Sequence, residues 1–254
     1  MVAVSRVAIL LLALAVWLGP GMAARADTIR ILTNNDYPPF NYVDEQGGLA
    51  GFDVDIARAV CVAMQAECEF VVIPTFDNLI PALLEGVGDA AVASMSITED
   101  RKRRVAFTNH YYRTPMQFVA TRGFDRPVTV EGLRGLRIGF EIGTTAEAYV
   151  LDRLAGAVVA VPSNRQEDSI RQLVAGGIDL MLSDSLGMWH FVKSAEGQGF
   201  EFVGTPIYVD EGIGIALRKE DTELMRRLNL ALTRIRIDGT YDAINARYFP
   251  FSIY

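Results

Sequence analysis

Asp77-Asn78-Leu79-Ile80-Pro81-Ala82-Leu83-Leu84-Glu85-Gly86-Val87-Gly88-Asp89, followed by the apolar run Ala90 to Ala93, is one half of a pattern that occurs twice in this chain. The other half is Asp168-Ser169-Ile170-Arg171-Gln172-Leu173-Val174-Ala175-Gly176-Gly177-Ile178-Asp179, followed by Leu180 to Leu182. In each, an acid caps a helix, glycine stops it, and an aspartate leads into an apolar strand. The strands end in Ser94 and in Ser183-Asp184. Chance likeness between two α/β units is the alternative reading. If the repeat is real, the chain is two α/β lobes built alike. Ligands in such sheets bind beyond the carboxyl ends of the strands, which sets Ser94 and Asp184 on opposing lips of one cleft.

The segment after the first repeat, Ser94-Met95-Ser96-Ile97-Thr98-Glu99-Asp100-Arg101, has the character of an anion site. Thr98 is a good N-cap, so hydroxyls, free backbone N–H groups and one guanidinium gather near a single point, which suits a carboxylate. Arg101 falls in the first helical turn. Lys102, Arg103 and Arg104 read as a solvated charge run.

Arg6, the apolar stretch Val7 to Leu18, the breaker Gly19-Pro20-Gly21 and the pattern Ala24-Arg25-Ala26 read as a secretory signal peptide cut after Ala26. A membrane anchor would need about 20 apolar residues. No cysteine near the cut supports a lipid anchor. The mature chain, Asp27 to Tyr254, keeps 22 basic and 31 acidic side chains and a net charge of −9 once Arg6 and Arg25 are gone. That balance argues against nucleic acid and anionic membrane surfaces as partners. Cys61 and Cys68 are the only cysteines, and in an exported protein a close pair reads as a disulfide. A metal site is the weaker alternative, because His110 and His190 are distant in sequence.

The remaining pattern is α/β throughout. Thr28 to Thr33 reads as a strand, Asn34 to Asn41 as a loop, and Tyr42-Val43 with Leu49-Ala50 as a hairpin. Asp53 is positioned to cap a helix with Ile56, Val60, Ala63 and Met64 on one face. Strands are expected at Glu69 to Ile73, Met116 to Thr121, Arg137 to Phe140, Val158 to Val161, Gly199 to Val203, Ile207 to Val209 and Gly212 to Leu217. Thr144 and Glu147 form a capping box opening a helix to about Leu154. Asp221 to Arg236 is amphipathic. Crossings near Arg113 and Gly204 would make two hinge strands.

These residues resemble the solute-binding proteins of polar amino-acid ABC transporters, nearest to the periplasmic lysine/arginine/ornithine- and histidine-binding proteins. The likeness rests on Gly51-Phe52-Asp53-Val54-Asp55-Ile56, on the loop Cys61 to Cys68, on Ser94 to Arg101, on Asp238-Gly239-Thr240-Tyr241 and on Tyr248-Phe249. It implies a type II periplasmic-binding-protein fold: two α/β lobes, two hinge strands, and a ligand cleft that closes. The lobes would be 27–113 plus 206–254, and 114–205, after a signal peptide at 1–26. It also implies roles. Arg101 forks the ligand α-carboxylate, helped by backbone N–H groups near Ser96 and Thr145. Asp184 pairs with the α-ammonium, and Ser94 takes another ammonium proton by its carbonyl or hydroxyl. Tyr37 and Phe76 wall the ligand side chain. Two departures bear on specificity. Asn34 stands where the basic binders carry an aspartate. Glu141 stands where they carry an apolar residue and glutamine binders a lysine. That carboxylate could restore cation recognition from the other lobe, or could sit exposed at the cleft mouth. Ala93 and Ala146 also replace polar residues of the basic binders. The expected ligand is a polar L-amino acid with a basic or amide side chain. The expected partners are the permease and ATPase of an importer, the expected site of action is the periplasm, and the expected state is a monomer with no cofactor.

The same fold hosts periplasmic cyclohexadienyl (prephenate or arogenate) dehydratases, so an enzyme is the competing expectation. It needs a proton donor over the ligand, and Glu141 is the one spare carboxyl near the presumed cleft. No nucleophile elbow, zinc-protease motif or histidine triad is present. The Arg101 and Asp184 pair favours binding an amino acid unchanged.

Overall fold

The computed structural model describes residues 27–254, and the expected signal peptide lies outside the described residues. The chain builds two five-stranded sheets. The first runs Glu67–Val72, Thr28–Thr33, Ala90–Ala91, Ala216–Leu217, Ala106–Phe107. The second runs Val159–Ser163, Arg137–Glu141, Leu180–Asp184, Met116–Thr121, Phe200–Ile207. In both, the first three strands are parallel and the last two pair antiparallel. The two sheets therefore share one topology.

The repeat extends to individual hydrogen bonds. Asp89 accepts from the Arg30 backbone N–H at 2.9 Å and from its guanidinium at 2.8 and 3.2 Å. Asp179 accepts from the Arg137 N–H at 2.7 Å and from its guanidinium at 2.6 and 3.1 Å. Each aspartate precedes the central strand, and each arginine lies just before the matching register, Ile31 beside Ala90 and Ile138 beside Leu180. The aspartate after the glycine stop thus ties each central strand to its parallel neighbour through a fork of charge-assisted bonds.

The acid caps are placed differently from the sequence expectation. Asp77 lies within a 3₁₀ turn, Phe76–Asn78, ahead of the helix Leu79–Leu84, and Asp168 lies inside the helix Gln166–Val174, paired with Arg171. Neither caps its helix by a side-chain hydrogen bond. Pro81 falls in the first turn, where its missing N–H has no intrahelical partner to lose. Asp53 is likewise inside its helix, Phe52–Ala63, whose N-cap is Gly51. The loop expected at 34–41 contains a two-residue strand, Asp36–Tyr37, that joins the hairpin Asn41–Val43 and Leu49–Ala50. The helix Ser185–Lys193 has no strong stripe and was not expected. The Thr144 hydroxyl accepts from the Glu147 N–H at 3.3 Å, while the Glu147 carboxylate accepts from Gly143 rather than from the cap residue.

Each sheet has its own core. In the first, Phe40, Phe52, Tyr111, Tyr112, Tyr241 and Phe249 interlock beneath the helices Phe52–Ala63 and Thr222–Ile237. Leu228, Ala231, Leu232 and Ile235 form the buried stripe of the latter helix. In the second, Phe118, Ile138, Phe140, Val150 and Leu182 pack under the helix Thr145–Arg153. The Arg113 N–H donates to Ile253 of the first unit, and two residues later the Pro115 carbonyl accepts from Ser185 of the second. The strand Phe200–Ile207 stays paired to Met116 through Ile207, and Glu211 then bonds Ile97. No helix of the described residues is long and apolar enough to cross a membrane.

Cys61 and Cys68 form a disulfide joining the end of the first helix to the strand Glu67–Val72. The eight-residue loop it closes is short, so its effect on the unfolded chain is about 2.5 kcal/mol. Replacing both cysteines with serine should lower stability by that amount in urea unfolding, with the fold retained. An unchanged midpoint would contradict the assignment.

Candidate functional site

Thr98 caps the short helix Glu99–Arg104, accepting from the Arg101 N–H at 3.3 Å. This turns Arg101 inward, where it is 8% exposed. Its guanidinium donates to the Ser96 carbonyl at 2.8 Å and, across to the second unit, to the Gly143 carbonyl at 3.0 Å. It lies over the Phe76 ring at 5.2 Å. Among the described residues no carboxylate pairs with it. Burial therefore lowers its pKa to about 10, only partly opposed by Asp184, Asp210 and Asp100. Lys102 and Arg103, read from the sequence as part of a solvated charge run, pair with Glu99 and Glu211 and with Asp100.

Ser94 turns the chain here with φ of +52°, a left-handed conformation uncommon for serine. The buried Asp53 holds it there, accepting from both the Ser94 N–H and hydroxyl and from the Tyr111 hydroxyl at 2.8 Å. With no cation partner, burial raises the Asp53 pKa to about 7. The Ser94 hydroxyl proton is committed to Asp53, so its oxygen and the Ser94 carbonyl can act only as acceptors toward the cavity.

Asp184 ends the strand Leu180–Asp184 on the facing side. Its carboxylate accepts from the Tyr37 hydroxyl at 3.3 Å, a bond spanning the two units. Burial first, then Asp210, raises its pKa to about 7, against the lowering effects of Tyr37 and Arg101. Tyr37 is itself buried and stacked on Phe40 at 5.4 Å between centroids. It fits only because Gly187 has no side chain: a Cβ there would stand 2.5 Å from the Tyr37 oxygen. Thr145 is the first residue of the helix Thr145–Arg153, so its N–H lies at the positive end of the helix.

Asn34, Tyr37, Phe76, Ser94, Ser96, Arg101, Glu141, Thr145 and Asp184 all line one cavity between the two sheets, together with Ala93, Ala146 and Gln166. Asn34 is less available than its sequence context suggests. Its Nδ2 donates to Asp36 at 2.7 Å and its Oδ1 accepts from Asn41. Asp36 in turn accepts from Arg165 of the second unit at 2.6 Å. Glu141 is 9% exposed and therefore does not lie out at the cleft mouth. Burial raises its pKa to about 8, reinforced by Asp36, Asp184 and Asp77 and opposed by Arg165. Asp36, Arg165, Gln166 and Asp53 were not expected in this role. Asp36 and Arg165 are 129 residues apart and nothing local couples them; Asp53 reads from the sequence as a helix cap, whereas the fold uses it to hold Ser94.

Among the described residues the cavity thus opposes a buried cation without an ion-pair partner to buried carboxylates without one, with a helix N-terminus beside the cation. A zwitterion satisfies such an arrangement, because each of its charges pairs a group that is costly to bury alone.

Residues 29–251 match the bacterial extracellular solute-binding proteins, family 3. The L-arginine-binding protein of Pseudomonas aeruginosa is 41% identical over 232 residues, covering 89% of each chain. The lysine/arginine/ornithine-binding periplasmic protein of Escherichia coli is 35% identical over 238 residues, covering 91% of each. Among solved structures, an ancestral arginine-binding protein bound to arginine superposes with a TM-score of 0.82 at 34% identity, over 87% of this chain and 98% of that one. The shared two-lobed architecture, the cleft and the extent of the sequence match make this chain a member of the bacterial extracellular solute-binding proteins, family 3.

Proposed function

We propose that the protein is an exported binder that captures a polar L-amino acid with a basic or amide side chain, closes its two lobes over it, and hands it to the permease and ATPase of an ABC importer. The observation that carries this reading is the buried Arg101, without a counter-ion, facing the buried Asp184 across one cavity. Arg101 and the N–H groups at Ser96 and Thr145 take the α-carboxylate. Asp184 and the Ser94 carbonyl or hydroxyl oxygen take the α-ammonium. Tyr37 and Phe76 flank the side chain, with Asn34 and Glu141 at its end. The lobes are 27–113 plus 206–254, and 114–205, and the protein works as a periplasmic monomer after removal of residues 1–26. The relatives are binding proteins rather than enzymes, and amino-acid binding is supported over the dehydratase alternative.

Closure follows from the same contacts. Tyr37 to Asp184, Arg101 to Gly143 and Asp36 to Arg165 each join the two units. A ligand that pairs Arg101 and Asp184 removes the cost of burying them and so favours the closed arrangement.

Titration calorimetry against the twenty amino acids should give heat with a polar subset. Arg101→Met and Asp184→Asn should each weaken every ligand by about 100-fold or more, since each leaves a ligand charge buried and unpaired. No heat with any amino acid would sink the proposal.

The pH dependence of stability has a definite sign. Asp53, Asp184 and Glu141 carry pKa values of about 7, 7 and 8 in the fold, against 3.8 to 4.5 for ordinary carboxylates. The folded chain therefore binds their protons more tightly. The stability they contribute is full below the ordinary values and is lost as pH rises through the folded ones. His110 and His190, lowered by burial, act oppositely, but below 6.5. The ligand-free melting temperature should fall as pH rises from about 6.5 to 8.5. A saturating ligand, by holding Asp184 ionised, should flatten that fall. A melting temperature that rises over this window without ligand would contradict the account.

A further inference from the structure

The side-chain end of the cavity contains a carboxyl group with no partner among the described residues, that of Glu141. Four charged groups besides Glu141 act there: Asp36, Asp184, Asp77 and Arg165. Asp36 has one oxygen bonded by Asn34 and the other by Arg165, so its charge is already compensated. Asp77 is turned to Thr75 in an exposed hydrogen bond. Asp184 is bonded by Tyr37 and faces Arg101. The Glu141 carboxylate alone accepts no hydrogen bond and forms no ion pair among the described residues, though the residue is nine-tenths buried and lines the cavity.

Its position is fixed from behind. Glu141 ends the strand Arg137–Glu141 and pairs in register with Ser163. Its carbonyl accepts the Thr144 hydroxyl at 2.6 Å, just before the helix that carries Thr145. The backbone that carries the carboxylate is therefore held by the same turn that brings the helix N-terminus to the cavity. Asn34, the neutral residue on the opposite lobe, is spent in its own network with Asn41 and Asp36.

We propose that Glu141 is the residue that selects the ligand, by pairing from the second lobe with a cationic group at the far end of the ligand's side chain. This rests on the amino-acid reading above and narrows it from a basic or amide side chain to a cationic one. Lobe 2 then holds both ligand cations, through Asp184 and Glu141, while lobe 1 holds the carboxylate through Arg101. A neutral side chain leaves Glu141 buried without a partner, so that it must keep its proton or bear the desolvation cost of ionising. Citrulline is the sharpest comparison with arginine, because a neutral ureido group replaces the guanidinium at nearly the same shape.

Binding of L-arginine and L-citrulline to the mature protein and to Glu141→Gln tests this by calorimetry. The wild type should prefer arginine by about 100-fold, and the variant should lose at least about tenfold of that preference while still binding citrulline. A variant that keeps the wild-type ratio overturns the inference. A wild type that binds the two equally overturns it too, and leaves the amino-acid reading standing. A wild type that binds no amino acid overturns both. A second readout needs no variant: at pH 7 in two buffers of different ionisation enthalpy, arginine should release more protons on binding than citrulline does. Equal release contradicts a cation paired to Glu141.

Discussion

Arg101 is buried against a phenyl ring and two carbonyls, with no carboxylate of its own. A guanidinium keeps its charge under almost any condition, so burial cannot be relieved by losing a proton. The charge has to be met by something that enters the cavity. Much else in the structure serves to keep it there. Thr98 caps the turn, Ser96 and Gly143 hold the guanidinium plane, and Asp53 fixes the Ser94 bend that shapes the approach. Asp184, on the other lobe, has the opposite charge and the same lack of an ion-pair partner.

That opposition is a product of the duplicated architecture. Each sheet carries a strand that runs toward the cleft after a helix, a glycine and an aspartate, and each aspartate is tied by an arginine on the neighbouring strand. One copy delivers Ser94 to the cleft and the other delivers Asp184. The two ends face each other because the chain crosses between the sheets twice. Closure is governed by small contacts that tolerate no extra atoms. A Cβ on Gly143, which also has φ of +79°, would stand 2.7 Å from the Asp77 Cβ across the cleft, and one on Gly187 would strike Tyr37.

Much of this was legible from local pattern. The helix–glycine–aspartate–strand units, the cap at Thr98, the paired cysteines and the amphipathic C-terminal helix are all set by neighbours within a few residues. The nine candidate residues line a common cavity; local pattern points to Ser94, Arg101, Thr145 and Asp184, at strand ends and helix starts, while Asn34, Tyr37, Phe76 and Glu141 come from the resemblance to the family. What pattern did not show depends on contacts between distant segments. The Asp53 carboxylate is turned to Ser94 and Tyr111, 41 and 58 residues away, rather than to its own helix start; Asp77 and Asp168, by contrast, are turned to near neighbours, Thr75 and Arg171. The link from Asp36 to Arg165 crosses the whole cleft, and with it came the consequence that Asn34 is occupied. Only the packed structure decides that Glu141 is buried and unpaired.

The central claim is that the cleft closes on a zwitterion through Arg101 and Asp184, with the side chain running toward Glu141. A crystal structure of the protein grown with L-arginine tests it most directly. The account predicts the α-carboxylate on Arg101 and the Thr145 N–H, the α-ammonium on Asp184, and the guanidinium within hydrogen-bonding distance of Glu141. A ligand seated with its carboxylate away from Arg101, or with its guanidinium on Asn34 and Glu141 untouched, would contradict it.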